Sequence, residues 1–141
     1  MPIVEYRIPA GHYPGEAVTT LLEKSCALFA EVLECPLDRV RALAHEVSPH
    51  AMCVGGTMVS EGGTAAPYFT YFLLDGRPEA VRHRLLAGFT DLLVGCLGVD
   101  RSVVRGAVTI VAPTNWAIAG TPASVVRADE VAARESDSVG P

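Results

Sequence analysis

Lysine is nearly missing from this 141-residue chain: of its eleven basic residues only Lys24 is not arginine. The basic residues form no run and the formal net charge is −5, so the electrostatic footprint of a nucleic-acid binder is lacking. No apolar stretch reaches the roughly 18 residues of a membrane span. The N-terminus carries neither the basic flank nor the cleavage pattern of a secretory signal. Cysteine pairing motifs are also missing. Cys26, Cys35, Cys53 and Cys96 stand alone, with no C-x-x-C spacing, and read as buried thiols in a reducing compartment, the cytoplasm. His45, His50 and His83 show no metal spacing, nor does His12, and neither a metal nor another cofactor is expected. Apolar residues make up what these leave: half the chain is hydrophobic, a globular composition at a length that suits one domain.

The chain repeats itself. Pro2, Tyr6 and Gly11 recur as Pro67, Tyr71 and Gly76; Glu16-Ala17-Val18 recurs as Glu79-Ala80-Val81. Val40-Arg41 returns as Val104-Arg105, and Val47, Pro49 and Gly56 return as Val111, Pro113 and Gly120. Each copy begins with a β-rich run, IVEYRI at 3–8 and PYFTYFLL at 67–74. A glycine turn follows, then a helix with Pro14 or Pro78 near its first turn. Val18, Leu21, Leu22, Phe29, Val32 and Leu33 recur at helical spacing in the first copy. Val81, Leu85, Leu86, Phe89, Leu92 and Leu93 do so in the other. RALAHEV at 41–47 and GAVTIVA at 106–112 close the units as second strands.

Strand, crossover helix, strand is a βαβ unit with parallel strands. The predicted fold class is therefore α/β, duplicated βαβ units forming a four-stranded sheet with two helices on one face. Residues 1–121 make a single domain of two repeats, 2–56 and 67–120, joined by a polar linker at 57–66. A tail follows at 122–141, with a short helix near 124–134 and a disordered end. The uncovered sheet face is too apolar to stay wet, which predicts homo-oligomerisation.

Pro2 raises a chemical question. A methionine before so small a residue is normally removed, and Pro2 would then be a free secondary amine. A proline is also tolerated at the first position of a strand for purely structural reasons.

In its order of elements the sequence resembles the tautomerase superfamily over about residues 2–120. Pro2 and the glycine-ended hairpins PHAMCVGG (49–56) and PTNWAIAG (113–120) carry the resemblance. With IPAG, CPLDRVRA at 35–42 and MCVGG, the first unit resembles a 4-oxalocrotonate tautomerase chain, and the unit after it resembles another copy. The resemblance implies a homotrimer and a cofactor-independent tautomerase acting on a small unsaturated 2-hydroxy or 2-oxo carboxylic acid. It implies that Pro2 is the general base and acid. Pro67, acylated by Ala66, cannot share that role. A base is most useful when its pKa lies near working pH, and an apolar pocket with neighbouring guanidinium groups would lower that of a prolyl amine.

The family's carboxylate-binding arginine, just after the first strand's glycine, falls on Arg77 in the second unit and on His12 in the first. Its second-strand arginine matches Arg41 and Arg105, which could equally form interface ion pairs. The aromatic that walls the family's pocket corresponds to Met52 and Trp116. Arg77 is thus the expected carboxylate anchor, with Arg41, Arg105, Trp116, Met52 and His12 as substrate-binding candidates. Three alternatives stay open. A malonate semialdehyde decarboxylase-like member is suggested by Asp38-Arg39, although Asp75-Gly76-Arg77 offers one arginine where two are expected. A hydratase or dehalogenase would need a water-activating carboxylate that the hairpins lack. The third is a catalytically silent trimeric binding module.

Overall fold

A computed structural model describes residues 2–138; Met1 and the last residues of the tail, for which disorder was expected, lie outside the described residues. The first unit runs from strand β1 (Ile3–Pro9) through helix α1 (Gly15–Leu33) to strand β2 (Arg41–Val47). A hairpin follows, β3 (Cys53–Val54) and β4 (Thr57–Met58). The second unit repeats this as β5 (Tyr68–Leu74), α2 (Glu79–Leu97), β6 (Arg105–Val111) and the hairpin β7 (Ala117–Ile118) and β8 (Thr121–Pro122). The chain then enters α3 (Ala123–Val126) and α4 (Ala128–Ser138). Residues 57–66 are more structured than the expected linker. Thr57 and Met58 pair with Val54 and Cys53, and a 3-10 turn spans Val59–Glu61.

Within each unit the strands pair in parallel, and the units meet through an antiparallel pair, giving the order β2-β1-β5-β6. Alternation along a strand sends every second side chain to one face. Val4, Tyr6 and Ile8 of β1 and Phe69, Tyr71 and Leu73 of β5 are buried in the core with Leu21 and Phe29 of α1 and Leu85, Phe89 and Leu93 of α2. Phe89 sits at its centre, with ring contacts to Tyr6, Phe29, Phe69 and Tyr71. The two core tyrosines are satisfied. Ser25 donates its hydroxyl hydrogen to the Leu21 carbonyl, so Tyr6 donates to Ser25 Oγ at 2.6 Å. Tyr71 donates to the Arg82 carbonyl at 2.7 Å.

Gly106 has a packing reason. A Cβ there would overlap the Phe69 ring, which crosses β6 at that point. On the opposite sheet face Leu43 and Tyr68 stay 40% and 38% exposed in the single chain. The cysteines depart from expectation. All four are free, but none is buried and Cys53 is exposed, because it sits in the short β3–β4 hairpin and not on a core face.

Candidate active site

The antiparallel pairing of β1 with β5 does more than join the units. Ile3 lies opposite Phe72 and Val4 opposite Tyr71, so the start of β1 meets the end of β5. Pro2 therefore arrives beside Leu73 and Leu74, and the β5–α2 turn that follows carries Arg77 to the same place. The Pro2 carbonyl accepts from the Arg41 amide at 3.1 Å, which fixes it against the start of β2. Gly76 adopts φ 93°, and its amide donates to the Asp75 carboxylate at 2.8 Å, shaping the tight turn before Arg77.

Pro2 and Arg77 line one cavity of about 420 Å3, in the lower part of the roughly 300–1,000 Å3 common for ligand sites. Its apolar wall comes from Leu33 at the end of α1, Leu73 and Leu74 of β5, and Ile118 of the second hairpin. Glu34, Cys35, Pro36 and Arg39 contribute from the segment joining α1 to β2. The roof is α4 and the turn before it, with Arg127, Glu130, Ala133 and Arg134. Arg134 packs against the turn so closely that a Cβ on Gly76 would be 3.3 Å from its own.

Arg77 is half-buried and donates to the Leu33 carbonyl at 3.2 Å, satisfying one of the end carbonyls of α1. Burial, reinforced by the Arg134 charge, lowers its pKa from the ordinary arginine value, against the pull of Cys35, Glu130 and Glu34. Glu130 meets Arg39 at 3.0 Å, Arg127 at 3.2 Å and Arg134 at 3.5 Å. Burial would raise the Glu130 carboxyl, but its bonds to Arg39 and Arg127 outweigh that and hold it below the usual carboxylate range. Glu34 caps α1 in the left-handed conformation at φ 51°, where the second unit has Gly98 at φ 67°.

Of the seven residues expected to form the site, Pro2 and Arg77 come together. The other five lie elsewhere in the single chain. His12 follows the far end of β1, is exposed, and packs edge-on against Tyr13. Arg41 and Arg105 begin the second strands and are exposed; Arg105 donates to the Ser102 and Val104 carbonyls. Trp116 packs on Phe72, whose neighbours Tyr71 and Leu73 face the core, so the tryptophan lies on the opposite sheet face. Met52 belongs to the first hairpin, its carbonyl accepting from the Val59 amide, whereas the cavity takes Ile118 from the second. Asp38 also stays outside the lining. Arg39 was named only beside Asp38 in the decarboxylase alternative, and the residues missed were Glu34, Arg127, Glu130 and Arg134. The 127, 130, 134 spacing signals one helix face, but not what that face would cover. Among the described residues no group of three or more His, Cys, Asp or Glu is placed to hold a metal ion, and no helix is long and apolar enough to cross a membrane.

Solved structures share this duplicated βαβ fold. The chain superposes on native fused 4-OT with a TM-score of 0.82 at 20% identity, covering 89% of this chain and 98% of that one. For Pt0534 inactivated by 2-oxo-3-pentynoate the TM-score is 0.80 at 24% identity, with 88% and 98% covered. N1, a member of the cis-3-chloroacrylic acid dehalogenase family, gives 0.73 at 15% identity over 95% and 96%. No protein-family model matches the sequence, and no curated protein does. The likeness is one of fold.

Proposed function

We propose that this protein is a cofactor-independent tautomerase or isomerase of small unsaturated 2-hydroxy or 2-oxo carboxylic acids. Pro2, with Met1 removed, is the base that takes a proton from the enol oxygen and the acid that returns it to carbon. Arg77 binds the substrate carboxylate through its planar fork. One observation carries this reading: two residues from different repeats, each singled out by its position in the sequence, line the same half-apolar cavity. The chemistry needs an amine that is neutral near pH 7, whereas an ordinary α-amino group titrates at about 7.7–8.0. Apolar walls and nearby guanidinium groups both disfavour the ammonium form. The same positive lining favours the negative charge that develops on the enolate oxygen.

The assembly proposed is a homotrimer. Fused 4-OT has been solved as both symmetric and asymmetric trimers, and the exposed Leu43 and Tyr68 face supports burial against other subunits.

Intact mass and turnover test the reading. The purified protein should lack one methionine, and, tested on 2-hydroxymuconate and phenylenolpyruvate, it should tautomerise at least phenylenolpyruvate, the one with a single carboxylate. Pro2→Ala should lose about 100-fold or more in kcat, the scale of general acid–base catalysis. Retained Met1, which leaves Pro2 an amide, or a Pro2→Ala variant as active as wild type, would overturn it.

A second reading is favoured by Glu34. Hydration or dehalogenation needs a carboxylate to activate water, and Glu34 supplies one at the cavity from the end of α1. Chloride release from 3-chloroacrylate, abolished in Glu34→Gln, would select that branch.

A further inference from the structure

Helix α4 brings a carboxylate into a cavity otherwise suited to receive one. Among the described residues Arg39, Arg77, Arg127 and Arg134 line it, and Glu130 pairs with three of the four. Arg77 forms no ion pair among the described residues, and the only hydrogen bond of its own guanidinium there goes to a backbone carbonyl. Three guanidinium groups converging on one point would be a strong second-carboxylate site. Here that point is filled from within the chain. The seating is specific: Arg39 lies 91 residues from Glu130 in the sequence, and Arg134 rests on the positive-φ Gly76 that precedes Arg77. Glu130 and Arg134, four residues apart on α4, share a face, and Arg127 in the turn before α4 pairs with Glu130, so the three arrive together.

We infer that Glu130 is a built-in counter-anion that sets the ligand charge of the Pro2 cavity, leaving Arg77 to take a single carboxylate and excluding a second. The inference rests on the cavity being the carboxylate site proposed above, but not on proton transfer at Pro2. In Glu130→Gln the side chain keeps its shape and loses its charge, so Arg39, Arg127 and Arg134 become available to a second acid group.

Calorimetric titration of the full chain with butanoate and succinate, saturated acids of equal length that differ by one carboxylate, reads this directly. Wild type should prefer butanoate. In Glu130→Gln the affinity for succinate relative to butanoate should rise at least about tenfold, the scale of hydrogen bonds to charged groups. Asp129→Asn removes a charge from the same turn of α4 at an exposed position outside the lining, and it should leave the preference unchanged. An unchanged preference in Glu130→Gln, an equal shift in Asp129→Asn, or a wild type that already favours succinate overturns the inference. Failure of every protein to bind either acid overturns it together with the carboxylate-site reading, whereas loss of the proton-transfer reading alone would appear only in the turnover of Pro2→Ala.

Discussion

Truncating Arg77 removes a guanidinium that faces the cavity and holds the last turn of α1 through Leu33. For a contact to a charged group, roughly 1.5–3 kcal/mol is at stake. Arg77→Ala should therefore lower kcat/KM roughly 10- to 150-fold, and Arg77→Lys should restore only part of it, because the ammonium lacks the fork. Steady-state kinetics on the substrate that wild type turns over checks both. Arg77 was legible through the resemblance, whose carboxylate-binding position falls after Gly76 on Arg77 and after Gly11 on His12. The duplication could not say which of the two would meet Pro2. The antiparallel junction decides that, because it joins the start of β1 to the end of β5 and leaves His12 at the other end.

The two helices that end the crossovers differ in one respect. α2 is capped by Gly98, but α1 is capped by Glu34 in a left-handed conformation that a side chain adopts at a cost of roughly 1–2 kcal/mol. Glu34→Gly relieves that strain and adds chain entropy to the unfolded state, so a net gain of about 0.5–1 kcal/mol in denaturant unfolding is expected. β6 shows the reverse case. Gly106→Ala would push a methyl into the Phe69 ring, and a loss of about 1–3 kcal/mol is expected by the same measurement. The strands and helices themselves were readable from period and turn residues. The tail was only half so. One short helix was expected near 124–134 and two form, α3 and α4, but the role of α4 as a roof comes from Arg39 and Gly76, neither of which is near it in the chain.

The whole molecule is held by one aromatic core between the helices and the sheet. Phe89→Ala should cost about 3–5 kcal/mol, more than any single α4 ion pair. Those pairs are partly exposed and individually worth about 0–1 kcal/mol. Alkaline pH tests the same core. Burial raises Tyr71 from 10.0 to about 12, although the Arg82 charge opposes it, and burial raises Tyr6 as well despite its bond to Ser25. An unfolded tyrosine ionises first, so above pH 10 the unfolded state holds fewer protons than the folded one. Stability should be intact below pH 10 and fall as pH rises towards 12. Tyrosinate absorbance should appear with loss of the fold for these two rings, and their titration in the native state near pH 10 would contradict the burial. Sedimentation equilibrium should return three times the 14.9 kDa chain mass if the trimer forms.

The duplication, the βαβ order, the two amphipathic helices and the candidacy of Pro2 and Arg77 could all be read from the chain. The first three are written in local periodicity or in the offset between repeats, and Pro2 and Arg77 were singled out by the resemblance; none needs a distant partner. The cavity could not be read that way. It exists because strand pairing reverses direction between the units, so that the first residues of one repeat meet the last strand residues of the other, and because α4 folds back over that junction. Arg41, Arg105, Trp116, Met52 and His12 occupy positions just as suggestive in the sequence, yet the single chain turns them to other edges and faces. Arg39 and Glu130, which no local pattern links, are brought to 3.0 Å. Periodicity reports which face of an element is buried; only the register between elements determines which charges meet there.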